Sequence, residues 1–144
     1  MRAWFWYAVG AAVMYGLHQV FTKMAAEKIG DGIGGFVVEG SAAITIGLYL
    51  MWLWASRNWN QPISALGIFY SALTGLCVGV GTILFFVLFQ KGGPLSALPM
   101  ILAAGAALMA IAGILFFKET LSWQRGLGIV LSLAGLFLMK YAKS

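Results

Sequence analysis

The sequence predicts an all-α integral membrane protein, a single polytopic domain of five transmembrane helices with little chain outside the bilayer. Three observations carry this reading. The 144 residues are 62% hydrophobic and only 9% charged, with a mean hydropathy of +0.93, too apolar for an ordinary dissolved domain. A helix needs about 20 mostly apolar residues to cross a hydrocarbon core of roughly 30 Å, and segments of that size fill nearly the whole chain. Between them lie short stretches where charge, glycine and proline collect.

The first segment runs from Trp4 to Ala26 and the second from Ile33 to Ala55, joined by EKIGDG, which has the charges and glycines of a tight loop. Arg2 before an apolar run resembles a signal peptide, but the run is longer than an h-region and lacks a small-x-small exit, so it is read as a span. SRNWNQP, residues 56–62, is the most water-compatible stretch, and Pro62 stands where a new helix can begin. The third segment covers residues 63–89. KGGP, residues 91–94, ends it, and the fourth covers residues 95–117 with Pro99 in its first turns as an expected kink. KETLSWQR then leads into the fifth, residues 122–141, whose apolar stretch from Gly126 to Met139 is lengthened through the interface by Leu121, Trp123 and Tyr141.

Five spans place the termini on opposite sides. Arg2, Arg57, Lys118 and Arg125 then share one side, and Lys23, Lys28, Lys91, Lys140 and Lys143 the other. Four against five is almost no bias under the positive-inside rule. Two readings stand side by side: something other than charge fixes the topology, or the chain inserts both ways round. All six tryptophans, Trp4, Trp6, Trp52, Trp54, Trp59 and Trp123, fall on the amino-terminal side, where indole rings favour the headgroup level.

The net charge of +5 is spread singly, with no basic run or basic helical face, so no nucleic-acid partner is expected and the bilayer is. Cys77 is the only cysteine, which excludes an intrachain disulfide and a multi-cysteine metal site. One histidine, four acids, no phosphate-binding glycine loop and no nucleophile motif offer nothing for catalysis. No enzyme activity, cofactor or metal is expected.

An ionisable group in hydrocarbon is costly unless paired, neutralised or wet, which singles out His18 and Glu39. Tyr15, His18, Gln19 and Thr22 recur at i, i+3, i+4 and i+7 and form one polar stripe on the first helix. Lys23 follows near the span's end, where its stem can carry the ammonium to the interface. In the second helix Gly35, Glu39, Ala43 and Gly47 share an i+4 row, so Glu39 stands on a small-residue face that another helix can approach. At about 1.5 Å per residue, Glu39 lies roughly 9 Å and His18 roughly 12 Å from the same membrane edge. Hairpin neighbours usually pack together, so the two are expected to meet as an ion pair or proton-sharing pair. A structural pair without a transport role is the competing reading. Ser71, Thr74, Val78 and Thr82 make a milder stripe on the third helix. Ala103, Ala106, Ala107, Ala110 and Gly113 make a packing face on the fourth.

The stretch from Gly92 to Leu138, GGPLSALPMILAAGAALMAIAGILFFKETLSWQRGLGIVLSLAGLFL, resembles the EamA-type half-domain of the drug/metabolite transporter superfamily. Glu119 stands at that family's glutamate, Lys118 replaces its usual glycine, Leu121 and Ser122 keep the loop pattern, and Gly128 and Gly135 match the last-helix glycines. MYGLHQVFTKMA is similar to the family's first-helix pattern, with Tyr15, Gly16 and Lys23 in place. The resemblance covers most of the chain and specifies no substrate.

Full-length members carry two five-helix halves as an inverted repeat of ten helices, with the solute site near the midplane between them. The resemblance therefore implies one half of such a transporter. It completes the architecture with an oppositely inserted copy, as an antiparallel homodimer, or with a relative of opposite orientation. The expected function is that of a half-size permease for a small-molecule metabolite in a prokaryotic cytoplasmic membrane, with proton coupling through Glu39 and His18. Tyr15, His18, Gln19, Thr22 and Glu39 are the expected cavity residues. Four-span multidrug pumps carry an essential first-helix glutamate where Gly16 stands here, which argues against a quaternary-cation antiporter. A non-transporting subunit of a larger membrane complex and a component of a lipid-linked sugar flippase remain as alternatives.

Overall fold

The computed structural model describes residues 3–118, 120 and 122–141. Among them the regular structure is entirely helical: α1 (Ala3–Ala26), α2 (Asp31–Ala55), α3 (Ala65–Gln90), α4 (Leu98–Phe117) and α5 (Trp123–Tyr141), with a short 3-10 turn over Leu95–Ala97. Three of these stretches are long and apolar enough to cross a membrane, Asp31–Ala55, Ala65–Gln90 and Leu95–Phe117. α1 has the length, but Trp4, Trp6, Tyr15, His18, Gln19 and Lys23 dilute its apolar content. α5 is shorter, at 19 residues, and includes Gln124 and Arg125. The chain forms two compact units, Met1–Gly93 with α1 to α3 and Pro94–Ser144 with α4 and α5.

Each helix end has a local cause. Ser64, extended at φ −135°, caps α3 by accepting a hydrogen bond from the Gly67 N–H at 3.0 Å. α3 therefore starts at Ala65, later than Pro62 suggested. Pro99 falls in the first turn of α4, after the 3-10 turn, where no intrahelical N–H is needed. It starts the helix instead of kinking its interior, which corrects the expected kink.

α2 and α3 close in the same way. Asn58 N–H donates to the Leu53 carbonyl at 3.0 Å and Arg57 N–H to that of Trp54 at 3.2 Å, while Gly93 N–H donates to Leu88 at 2.9 Å and Gly92 N–H to Phe89 at 3.0 Å. The motif puts its pivot residue in the left-handed region, which suits Gly92 at φ 83° but is strained for Arg57 at φ 57°. α4 ends on a third left-handed residue, Lys118 at φ 51°. This is the position where the resembling family usually has glycine, and the backbone conformation supplies the reason. Lys118→Gly should stabilise the folded chain by about 1 kcal/mol, the scale of the left-handed penalty for a residue with a Cβ. The measurement is detergent melting or denaturant titration, and Arg57→Gly is the parallel case.

In the first unit, α1 and α3 end where α2 begins, and burial concentrates there. Ala26, Gly34, Gly35, Phe86 and Phe89 are buried at this end. Gln90 Nε2 donates to the Ile29 carbonyl at 3.0 Å and fastens the end of α3 to the α1–α2 loop. Away from this end most large apolar side chains are exposed, Tyr7 at 80% and Ile44 at 67% among them, as a surface solvated by lipid or by further helices allows. In the second unit α4 packs on α5. Ala103, Ala107, Ala110 and Gly113 form the half-buried side of α4, while Ala106 is exposed.

Candidate functional site

Two polar surfaces of the first unit converge at its buried end. On α1, Gln19 (8% exposed) and Thr22 (2%) are buried, and His18 is half-buried. Thr22 donates its hydroxyl proton to the His18 carbonyl at 2.8 Å. Tyr15 does not join them: it is 70% exposed, with its ring edge-on to that of His18 at 6.4 Å between centroids. The helix period places Tyr15 on the stripe, but the packed end of the unit does not reach that far along α1.

Lys23, half-buried, turns its ammonium over the Phe89 ring of α3 at 6.0 Å, a cation–π contact at the bundle end. Gly16 and Gly128 are exposed and Gly135 is half-buried, with open space where a Cβ would stand in all three. Glu119 lies outside the described residues.

Glu39 is half-buried on α2, and its Oε1 accepts a hydrogen bond of 2.6 Å from the Thr82 hydroxyl of α3. Close helix approach makes this bond possible. A Cβ built on Gly34 would overlap the Phe86 ring, and one on Gly35 would stand 3.4 Å from Ile83 Cγ1 and 3.9 Å from Thr82 Cγ2. Of the small residues in the row beside Glu39, Gly35 meets a neighbouring helix, and that helix is α3 and not α1; Ala43 is exposed, and a Cβ on Gly47 would meet nothing within 4 Å.

No hydrogen bond or ion pair joins Glu39 to His18. That corrects the expected pairing. The face α2 turns toward α1 holds Val38, Ser41, Ala42 and Thr45, which with His18, Phe21, Thr22 and Ala25 line a hollow of about 350 Å³. Glu39 is one residue round from Val38, about 100° away on a helix of 3.6 residues per turn.

The hollow has a definite polarity. Thr22, Ser41 and Thr45 each donate their proton into their own helix, Ser41 to the Val38 carbonyl and Thr45 to the Ser41 carbonyl, both at 2.9 Å. Their oxygens keep lone pairs free to accept. His18 Nδ1 and Gln19 Oε1 are buried with no hydrogen-bond partner, a condition that calls for a ligand, a water or a movement of the helices.

Sequence reading missed Ser41 and Thr45 and placed Thr82 only in a mild stripe. The spacing of Val38, Ser41, Ala42 and Thr45 at i, i+3, i+4 and i+7 was the available signal for the first two. The remaining hydroxyls of the third-helix stripe, Ser71 and Thr74, are exposed, and Thr74 donates to its own Tyr70 carbonyl at 2.9 Å.

Comparison with known proteins adds a family. The profile of the EamA-like transporter family matches residues 2–141, across both compact units. An uncharacterized protein of Methanocaldococcus jannaschii is 28% identical over 129 residues, covering 89% of each chain. No solved structure matches.

Proposed function

The chain belongs to the EamA-like transporter family, and from that premise we propose a half-size permease that moves a small metabolite across a prokaryotic cytoplasmic membrane, driven by protons through Glu39. The observation that carries the proposal is the Glu39 carboxylate, half-buried within an apolar stretch long enough to span and held by a neutral hydroxyl. With no cation paired to it, taking up or losing a proton changes the cost of moving this group between aqueous and apolar surroundings.

The hollow between α1 and α2 serves as the solute's foothold. Its size lies in the small-molecule range, and its accepting hydroxyl oxygens suit a solute that brings hydrogen-bond donors. In this reading α1 and α5 also cross the bilayer, and two oppositely inserted five-helix chains, or the chain and an inverted relative, rock about a shared centre.

A thermal-stability screen of purified chain against donor-bearing metabolites identifies the solute. Vesicles holding that chain alone should then accumulate it under an imposed pH gradient, and a topology reporter fused after Ser144 should read from both sides of the membrane. A chain that transports nothing alone and co-purifies with a larger membrane protein would mark it instead as a subunit of that complex. A reporter confined to one side would assign the second half to an inverted relative.

A further inference from the structure

Thr82 differs from the other helical threonines in where its proton goes. Thr22, Thr45 and Thr74 each donate to the carbonyl four residues back, at 2.8 to 2.9 Å, the usual recourse of a threonine inside an apolar helix. Thr82, 4% exposed, sends its proton across to Glu39 on α2. The carbonyl four residues back from it is that of Val78, the intrahelical acceptor it forgoes. A hydroxyl chooses a carboxylate over a carbonyl because the bond to a charged acceptor is shorter and stronger.

We propose that Thr82 is the positioning residue for Glu39, a clasp that closes α3 onto α2 while the carboxylate is charged and opens when it takes a proton. The inference rests on the reading of Glu39 as the proton-carrying group. The other ionisable groups at this end are His18 and Lys23 on α1, Glu27 and Lys28 in the α1–α2 loop, Asp31 at the start of α2 and Lys91 just after α3; none of the cations forms an ion pair with Glu39, and Lys23 faces Phe89. α3 offers the carboxylate a hydroxyl and no charge. A proton arriving from water on the carboxylate turns it into a donor, the charge-assisted bond is lost, and the Thr82 proton is free to return to the Val78 carbonyl.

Around the clasp, Gly35 lies in van der Waals reach of Thr82 and Ile83, and Phe86 closes on Gly34 one turn away. A change in the Thr82 bond is therefore felt where α2 and α3 pack most closely. His18 Nδ1 and Gln19 Oε1, buried and unpartnered on α1, gain their chance of a partner when that packing shifts.

The test uses the full chain in vesicles. Infrared difference spectra identify the Glu39 carboxylate band by its loss in Glu39→Gln, and uptake under a pH gradient is measured in parallel. Thr82→Val keeps the shape and removes the hydroxyl. It should move the carboxylate band and lower proton-driven uptake about tenfold, the scale of a lost hydrogen bond to a charged group. Thr82→Ser should restore both, and in the Glu39→Gln background Thr82→Val should change uptake no further. A carboxylate band unmoved in Thr82→Val, or a serine variant as impaired as the valine one, overturns the clasp alone. Proton-driven uptake that survives Glu39→Gln instead overturns the reading of Glu39 on which the clasp's transport role depends, even if the band shift is seen.

Discussion

Replacing Glu39 by Gln should abolish proton-driven accumulation while leaving the chain folded. Glutamine keeps the length and branching of the side chain, and its carbonyl oxygen can still accept the Thr82 proton that Glu39 accepts at 2.6 Å. The α2–α3 contact is therefore kept, and what disappears is the group that binds and releases a proton. A gradient of one pH unit is worth about 1.4 kcal/mol per proton, enough for about tenfold accumulation at one-to-one coupling. In Glu39→Gln that ratio should fall to about one, because no driving force reaches the solute. Downhill exchange of labelled against unlabelled solute should persist, since it needs the hollow and the rocking motion but no proton. Glu39→Asp, one methylene shorter, keeps the charge but draws it away from Thr82, and should fall between the two. Accumulation unchanged in Glu39→Gln and still set by the pH gradient would remove Glu39 from the mechanism.

How far this site could be read in advance differs from residue to residue, for physical reasons. The helices announce themselves, because apolar length and loop chemistry are local: EKIGDG and KGGP both mark true helix ends. Glu39 was legible as a residue that needs a partner, since a carboxylate in an apolar segment is costly on its own. Its partner was not legible. Periodicity puts His18 and Glu39 at similar depth on adjacent helices, and hairpin adjacency favours their meeting. The outcome turns on about 100° of helix rotation, and the fit of the Phe86 ring against the bare Cα of Gly34 decides that rotation. Complementarity between two residues 52 positions apart, 86 against 34, leaves no trace in either helix's own pattern. The exposure of Tyr15 in the single chain has a related cause: a stripe states which direction a residue points, not how far along the helix the packing extends. At Lys118 the sequence showed only that a usual glycine is replaced, and the left-handed backbone at φ 51° gives that glycine its reason.

Gly34 should tolerate substitution least of all the helical glycines of the first unit. A Cβ there would sit 2.6 Å from Phe86 Cζ and 2.9 Å from Cδ1, and Phe86 is 0% exposed, so its ring has no open side to swing toward. Either the ring leaves its rotamer or α3 moves off α2, and overpacking of this kind costs about 1–3 kcal/mol. Gly34→Ala should lower the detergent melting temperature accordingly, and Gly34→Leu should do so more severely. The neighbouring glycine provides the control, because a Cβ on Gly35 meets Ile83 Cγ1 at 3.4 Å, an ordinary contact. Gly40, with nothing within 4 Å of a built Cβ, should gain slightly from alanine through helix propensity. Gly34→Ala combined with Phe86→Leu, which trims the opposing ring, should recover part of the loss and give a clear coupling between the two positions. The effect should also extend to transport: if α3 is pushed from α2 at Gly34, Thr82 is drawn from Glu39 one turn away. Proton-driven uptake per folded molecule should then fall in Gly34→Ala and return with Phe86→Leu. A Gly34→Ala chain as stable as the parent would mean that Phe86 is not the wedge that sets the approach of α3, and the rotation that gives Glu39 to Thr82 would need another cause.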